Sequence, residues 1–128
     1  MLSALAHEDL KHLPKTLMEC PDDDPIWEEV TLPGLIDQFS TQRRFVSQKI
    51  IEALEAGSMK IEIDTADGET WYGALNQARL GLEETYQLKS YRGIHISKIE
   101  DEVISFAITR NALYGCIQTA ILEEVMIA

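Results

Sequence analysis

From Leu35 onward, apolar side chains recur every three or four positions, and Leu35, Ile36, Phe39, Val46, Ile50, Ala53 and Leu54 fall on one side of a helix. Gly57, just beyond that stripe, predicts the left-handed residue that commonly ends a helix. A second stripe of Trp71, Ala74, Leu75, Ala78, Leu82 and Tyr86 predicts a helix from about Glu69 to Tyr86. The last predicted helix runs to about Met126. It is apolar on most of its circumference through Val103, Ile104, Phe106, Ala107, Ile108, Leu113, Tyr114, Ile117, Ile121, Leu122 and Val125, which reads as the centre of the fold or of a dimer. Ser97 and Glu100 have capping-box spacing, so this helix is expected to start near Lys98.

Three shorter features complete the pattern. A helix from about Ser3 to Leu13 is expected to stop before Pro14. The stretch Glu19 to Gly34, punctuated by Pro21, Pro25 and Pro33, predicts an ordered surface loop anchored by Ile26 and Trp27. Met59 to Asp64 alternates apolar and polar residues before the Asp67-Gly68 turn, and Gly93 to Ser97 alternates again, which suits two short strands paired in parallel around the second helix. The expected fold is therefore mainly α. It is a single domain over residues 1–128, a bundle of three to four helices with a minor two-stranded β element.

Composition narrows the range of partners. With 128 residues and 45% hydrophobic content, the chain has the length and apolar content of one domain with its own core. Its 22 acidic and 11 basic residues give a net charge of -11, which repels phosphate backbones and anionic lipid, and the basic residues are scattered apart from the pair Arg43-Arg44. No nucleic-acid partner is expected. No run approaches the roughly 18 apolar residues of a membrane span, and the opening Met1-Leu2-Ser3-Ala4 reads as neither signal peptide nor anchor. The expected location is cytoplasmic, with no membrane partner. In such a reducing compartment Cys20 and Cys116 are expected as free thiols, Cys116 as a buried, inert hydrophobe in an apolar run.

Candidate chemistry centres on arginine. Arg43, Arg79 and Arg110 each fall on or near an apolar stripe, where an unpartnered guanidinium is very costly. One reading is an anion clamp in which Arg79 and Asn76, with Arg110 and Tyr114, bind a small carboxylate or phosphate. The other is a structural network, each arginine packing its stem and pairing at the bundle rim. His7 and His12 are not spaced to align on one helical face, and the Asp22-Asp23-Asp24 run lacks the ligand register of a calcium loop. His95 stands alone on an expected strand and is not read as catalytic. No metal site, cofactor or catalytic motif is read from the sequence. Gly73, Gly81 and Gly115 lie within helices, which suggests close helix approach.

The run Trp71, Ala74, Leu75, Asn76, Arg79, Leu80 and Leu82 spells W-x-x-A-L-N-x-x-R-L-x-L. It resembles the signature of a bacterial family best known from actinobacteria, domain of unknown function two-zero-one-seven, over about Leu35 to Met126. Genes of that family often lie near one for an adaptor of the Clp protease, so the resemblance implies a regulatory or proteostasis connection without a defined chemistry. The leading expectation is a non-enzymatic regulatory or protein-interaction domain. The alternative is a small-molecule anion binder or enzyme using the Arg/Asn clamp. The width of the last apolar helix further predicts a homodimer, with Leu113, Ile117 and Ala120, or Trp27 and Tyr72, in a self-complementary patch. In the competing arrangement the loop from Pro21 to Pro33 covers the patch, with Trp27 as its plug.

Overall fold

The computed structural model describes residues 6, 8–19, 26–58 and 60–126, with backbone alone at 125 and 126. Three α-helices dominate: α1 (Leu32–Glu55), α2 (Gly68–Tyr86) and α3 (Glu102–Ile121). A π-helical turn at Trp27–Thr31 leads into α1, another at Leu122–Met126 continues α3, and short 3-10 turns lie between. The protein is a mainly α bundle, and no strand occurs among the described residues.

Each helix ends for a local reason. Pro33 sits in the first turn of α1, where a missing N–H costs nothing. The segment expected as loop up to Gly34 therefore becomes helical several residues earlier. Gly57, at φ +66, closes α1 with Ser58 N donating to the Ala53 carbonyl at 2.9 Å and Gly57 N to the Leu54 carbonyl at 3.1 Å. This double bond pattern is the Schellman motif. α2 ends at Gln87, a non-glycine residue at φ 50, held there as its N–H reaches the Glu83 carbonyl at 2.8 Å.

The start of α3 departs from the expected capping box. Asp101 is the N-cap, its Oδ1 accepting from Val103 N at 2.9 Å and Ile104 N at 3.3 Å, so the helix begins later than Lys98. Ser97 is engaged instead with His95, whose Nδ1 lies 2.7 Å from its hydroxyl and accepts from its N–H at 3.2 Å.

Among the described residues neither expected strand forms. Residues 60–64 are irregular and feed a 3-10 turn at Thr65–Asp67, with Ile63 packed on the core and Ile61 exposed. Residues 93–97 form a turn entering the 3-10 turn Ile96–Lys98, with Ile94 and Ile96 exposed. Only the first segment places a side chain, Ile63, toward the helices. Two such short segments offer too little ladder and buried surface to hold a sheet.

α2 is the central helix. It packs on α1 and on α3, and burying Trp71, Ala74, Leu75, Ala78 and Leu82 it meets Val46 and Ile50 of α1, Ala107, Tyr114 and Ile121 of α3, and Leu10 and Leu88. The expectation that the last helix is the centre is thus corrected. The inward line of α3 contains Arg110, Tyr114 and Gln118, whereas Val103, Phe106 and Leu113 are 56%, 48% and 37% exposed. Polar residues share the inward line with Ala107 and Ile121, and several large apolar residues face out.

The N-terminal segment is strapped across the bundle. Residues 6, 8 and 9 are helical, and the chain turns at Leu10, short of the predicted Leu13. Glu84 of α2 then accepts from Lys15 N at 2.9 Å, from Thr16 N and from the Thr16 hydroxyl. These bonds hold its carboxyl below the usual range against a burial effect acting the other way. Trp27, expected with Ile26 to anchor the loop, is buried and its Nε1 donates to the Met18 carbonyl at 3.0 Å, which ties the turn before α1 to the N-terminal segment, while Ile26 is exposed.

Candidate functional site

The fates of the helix arginines decide what the interior can do. Arg110, four positions before Tyr114, shares its helical face. Arg110 Nε donates to Asp9 Oδ2 at 2.8 Å and Nη2 to Asp9 Oδ1 at 3.2 Å, while the Tyr114 hydroxyl donates to Oδ2 at 2.6 Å. The side chains of Arg110 and Asp9 are only 6% and 10% exposed, so this is a buried, bidentate pair. Burial alone pulls Arg110 down, but the hydrogen bond and charge of Asp9 outweigh it and hold the guanidinium above its usual range. Burial, then the bond to Asp9, pushes the Tyr114 hydroxyl well above the ordinary tyrosine range.

Arg79 is satisfied by neutral acceptors. Its Nε donates to Asn111 Oδ1 at 2.9 Å and its Nη1 to Gln118 Oε1 at 2.8 Å; Gln118 Nε2 then donates to the Tyr72 carbonyl at 3.2 Å. Gly115 makes room for this, since a Cβ there would lie 3.1 Å from Arg79 Nη1. Asn76 is exposed and takes no part. Of the four residues expected as an anion clamp, Arg110 and Tyr114 come together and Arg79 and Asn76 do not join them. The carboxylate that Arg110 and Tyr114 hold is the chain's own Asp9.

Arg43 differs from both. Its Nη2 donates to Ser40 Oγ at 2.9 Å, but its Nε is closed off from solvent without an acceptor, and no carboxylate pairs with it among the described residues. Burial, with the charge of Arg44 beside it, pulls its pKa below the usual arginine range. Arg43 lines a pocket of about 350 Å³ with Leu10, Lys11, Ser40, Arg44 and Ser47.

The second feature is the outward face of α3. Val103, Phe106, Ala112, Leu113, Cys116 and Ala120 are exposed there. Thr109 and Thr119 turn their hydroxyls back onto the Ser105 and Gly115 carbonyls at 2.9 and 3.0 Å, which spends their donors inside the helix. The one charge between Val103 and Leu122 is Arg110, which is buried. Exposed acids flank the face, Asp101 and Glu102 at one end and Glu123 and Glu124 at the other. Cys116 is an exposed free thiol, contrary to the buried position expected of it, because none of the described elements covers its side of α3. Among the residues expected at an interface, Leu113 lies on this face, Ile117 is half-buried against the core, Tyr72 is half-buried and Trp27 is buried.

Sequence reasoning missed Asp9, Asn111 and Gln118 as partners, and Phe106 as a surface residue. The demand for partners was visible in arginines on apolar stripes; which acid or amide met it was not. Among the described residues no cluster of His, Cys, Asp and Glu could hold a metal ion, and no helix is long and apolar enough to cross a membrane. His7, Cys20 and the aspartate run at 22–24 lie outside the described residues. Comparison of the chain with family models, curated proteins and solved structures returned no match.

Proposed function

We propose that the protein is a non-catalytic interaction domain that receives a helix of a partner protein on the outward face of α3. The observation that carries this reading is the uncharged, apolar surface from Val103 to Ala120, with its threonine hydroxyls turned inward, on a chain of net charge -11. A helix of twenty residues is about 30 Å long, and contiguous apolar surface on that scale is uncommon on a monomer unless it is used. The closed pairing of Arg110 and Tyr114 with Asp9 and of Arg79 with Asn111 and Gln118 supports the same reading, because these groups are committed to the fold.

Charge selects the occupant. Acids at both ends of the face favour an amphipathic helix that is apolar in the middle and basic at both ends. A second copy fits less well, since either orientation of two such faces sets acid ends against acid ends on molecules that already repel. The test uses a labelled amphipathic helical peptide of about 20 residues with lysines at both ends, a twin with glutamates there, and the variant Leu113→Glu. The lysine-ended peptide is expected to bind, the twin to fail, and Leu113→Glu to weaken binding at least tenfold with helicity unchanged. Equal binding of both peptides, or indifference to Leu113→Glu, overturns the reading. So does a dimer in sedimentation equilibrium that Leu113→Glu dissolves.

A further inference from the structure

We propose that Lys11, Ser40, Arg43 and Arg44 form a binding site for the phosphate group of a small phosphorylated ligand. This goes beyond the interaction reading and stands on different residues. The starting point is the contrast among the helix arginines. Arg110 has a carboxylate and Arg79 has two amide oxygens, yet Arg43 has one serine oxygen and a solvent-excluded Nε without an acceptor. An uncompensated guanidinium in a partly buried position is costly to the fold, and an anion bound in the pocket that Arg43 lines supplies the missing countercharge without reaching the excluded Nε.

The surroundings favour such an anion. Lys11, Arg43 and Arg44 converge on the same pocket, although only 11 of the chain's 128 residues are basic and 22 are acidic. Among the described residues no carboxylate lines that pocket. Glu8 pairs with Lys11 at 2.8 Å through two exposed side chains, where solvent screening leaves such a pair little strength. Among the described residues, three positive groups stand against this one acid, which leaves the cluster cationic. On α1, Ser40, Arg43, Arg44 and Ser47 follow the spacing that places residues on one helical face, and the N-terminal segment adds Leu10 and Lys11 across from them. The site is therefore assembled by the fold from two segments.

The donor set identifies the ligand chemistry. Arg and Lys offer donors alone, and Ser40 Oγ, which accepts from Arg43, keeps its own proton to donate. A group with several anionic acceptor oxygens uses such an array, and a phosphate dianion matches its charge better than a single carboxylate. The volume of about 350 Å³ lies at the lower end for small-molecule pockets, so there is room for an organic body beyond the phosphate. Among the described residues no aromatic ring lines it, which favours a polyol or aliphatic phosphate over a stacked base.

Inorganic phosphate is the probe, added at constant ionic strength with chloride as the control. Thermal denaturation of the whole chain is expected to shift upward with phosphate by mass action, and amide NMR shifts to saturate at residues 11, 40, 43, 44 and 47. Arg44→Gln, at an exposed side chain, should weaken phosphate at least tenfold. Arg43→Met should be more stable than wild type without phosphate and gain nothing from it. If Arg43→Met does not fold, Arg44→Gln and Lys11→Gln carry the test. An equal upward shift in chloride, indifference of the phosphate response to Arg44→Gln, or NMR shifts spread over all basic residues overturns the proposal.

Discussion

Removing the Asp9 carboxylate tests the structure where its electrostatics are most concentrated. In Asp9→Ala the Arg110 guanidinium, 5% exposed as a residue, loses both its hydrogen bonds to Asp9, and the Tyr114 hydroxyl loses its acceptor. Breaking a buried ion pair from one side costs about 3–5 kcal/mol, because it leaves a charge stranded. Small domains have only about 5–15 kcal/mol of stability, so the variant should lose a large fraction of it. Urea denaturation followed by circular dichroism reads the change as a lower midpoint with the slope preserved. The double variant Asp9→Leu, Arg110→Met removes both charges and should recover most of the loss, since an apolar pair of similar volume is often neutral or better. A loss below about 1 kcal/mol in Asp9→Ala, the value of a solvent-exposed pair, would refute the burial and charge assigned to this contact.

Other consequences concern the same interior. The Tyr114 hydroxyl ionises well above the ordinary tyrosine range when folded, whereas in the unfolded chain it ionises near pH 10. Its contribution is therefore complete below about pH 10 and is lost as pH rises toward the folded pKa; Tyr114→Phe should flatten that alkaline fall in a pH series of denaturation midpoints, and an unchanged slope would contradict the buried hydroxyl. Glycine positions in α2 should separate by what lies opposite. A Cβ at Gly81 meets nothing closer than Pro14 Cγ at 4.0 Å, so Gly81→Ala should stabilise by up to about 1 kcal/mol, while a Cβ at Gly73 falls 2.5 Å from Gln42 Oε1 and displaces the acceptor of buried Gln77, so Gly73→Ala should show no such gain in the same denaturation assay.

The helices were legible because their signals are local and redundant. The stripe of α2 from Trp71 to Leu82 fell on the core as expected, and Gly57 closes α1 through the bonds its position implied. Ser97 and Glu100 misled because the same spacing arises by chance, and Asp101 competes for the same helix start with an oxygen already in place. The short alternating segments misled because a period of two shows only which side chains share a side; it does not supply a neighbouring strand. The need of Arg110 for a carboxylate was legible, but its partner lies 101 positions away, a distance over which no sequence period operates. Arg43 shows the reverse: its missing partner becomes visible only once the other arginines have theirs.

The inverted polarity of α3 ties these observations together. Apolar helices can slide past one another with modest loss, because one methyl group replaces another at each contact. Polar contacts discriminate more strongly. As the numbering climbs from Tyr72 to Arg79 on α2, the bonded partners fall from Gln118 to Asn111 on α3, so the two helices run antiparallel with matched spacing. Arg79 also reaches Gln118, which closes the set. A slip of one turn would move these partners about 5.4 Å apart and strand a guanidinium and an amide inside the bundle, so this register is specified by hydrogen bonds as well as by fit. Giving the inward line of α3 to Arg110, Tyr114 and Gln118 leaves fewer inward places for its large apolar residues. Phe106 and Leu113 consequently stand outside, where they form the surface proposed to receive a partner. The same assignment of residues that fixes how α3 packs within the chain also leaves its outer side uncharged and open.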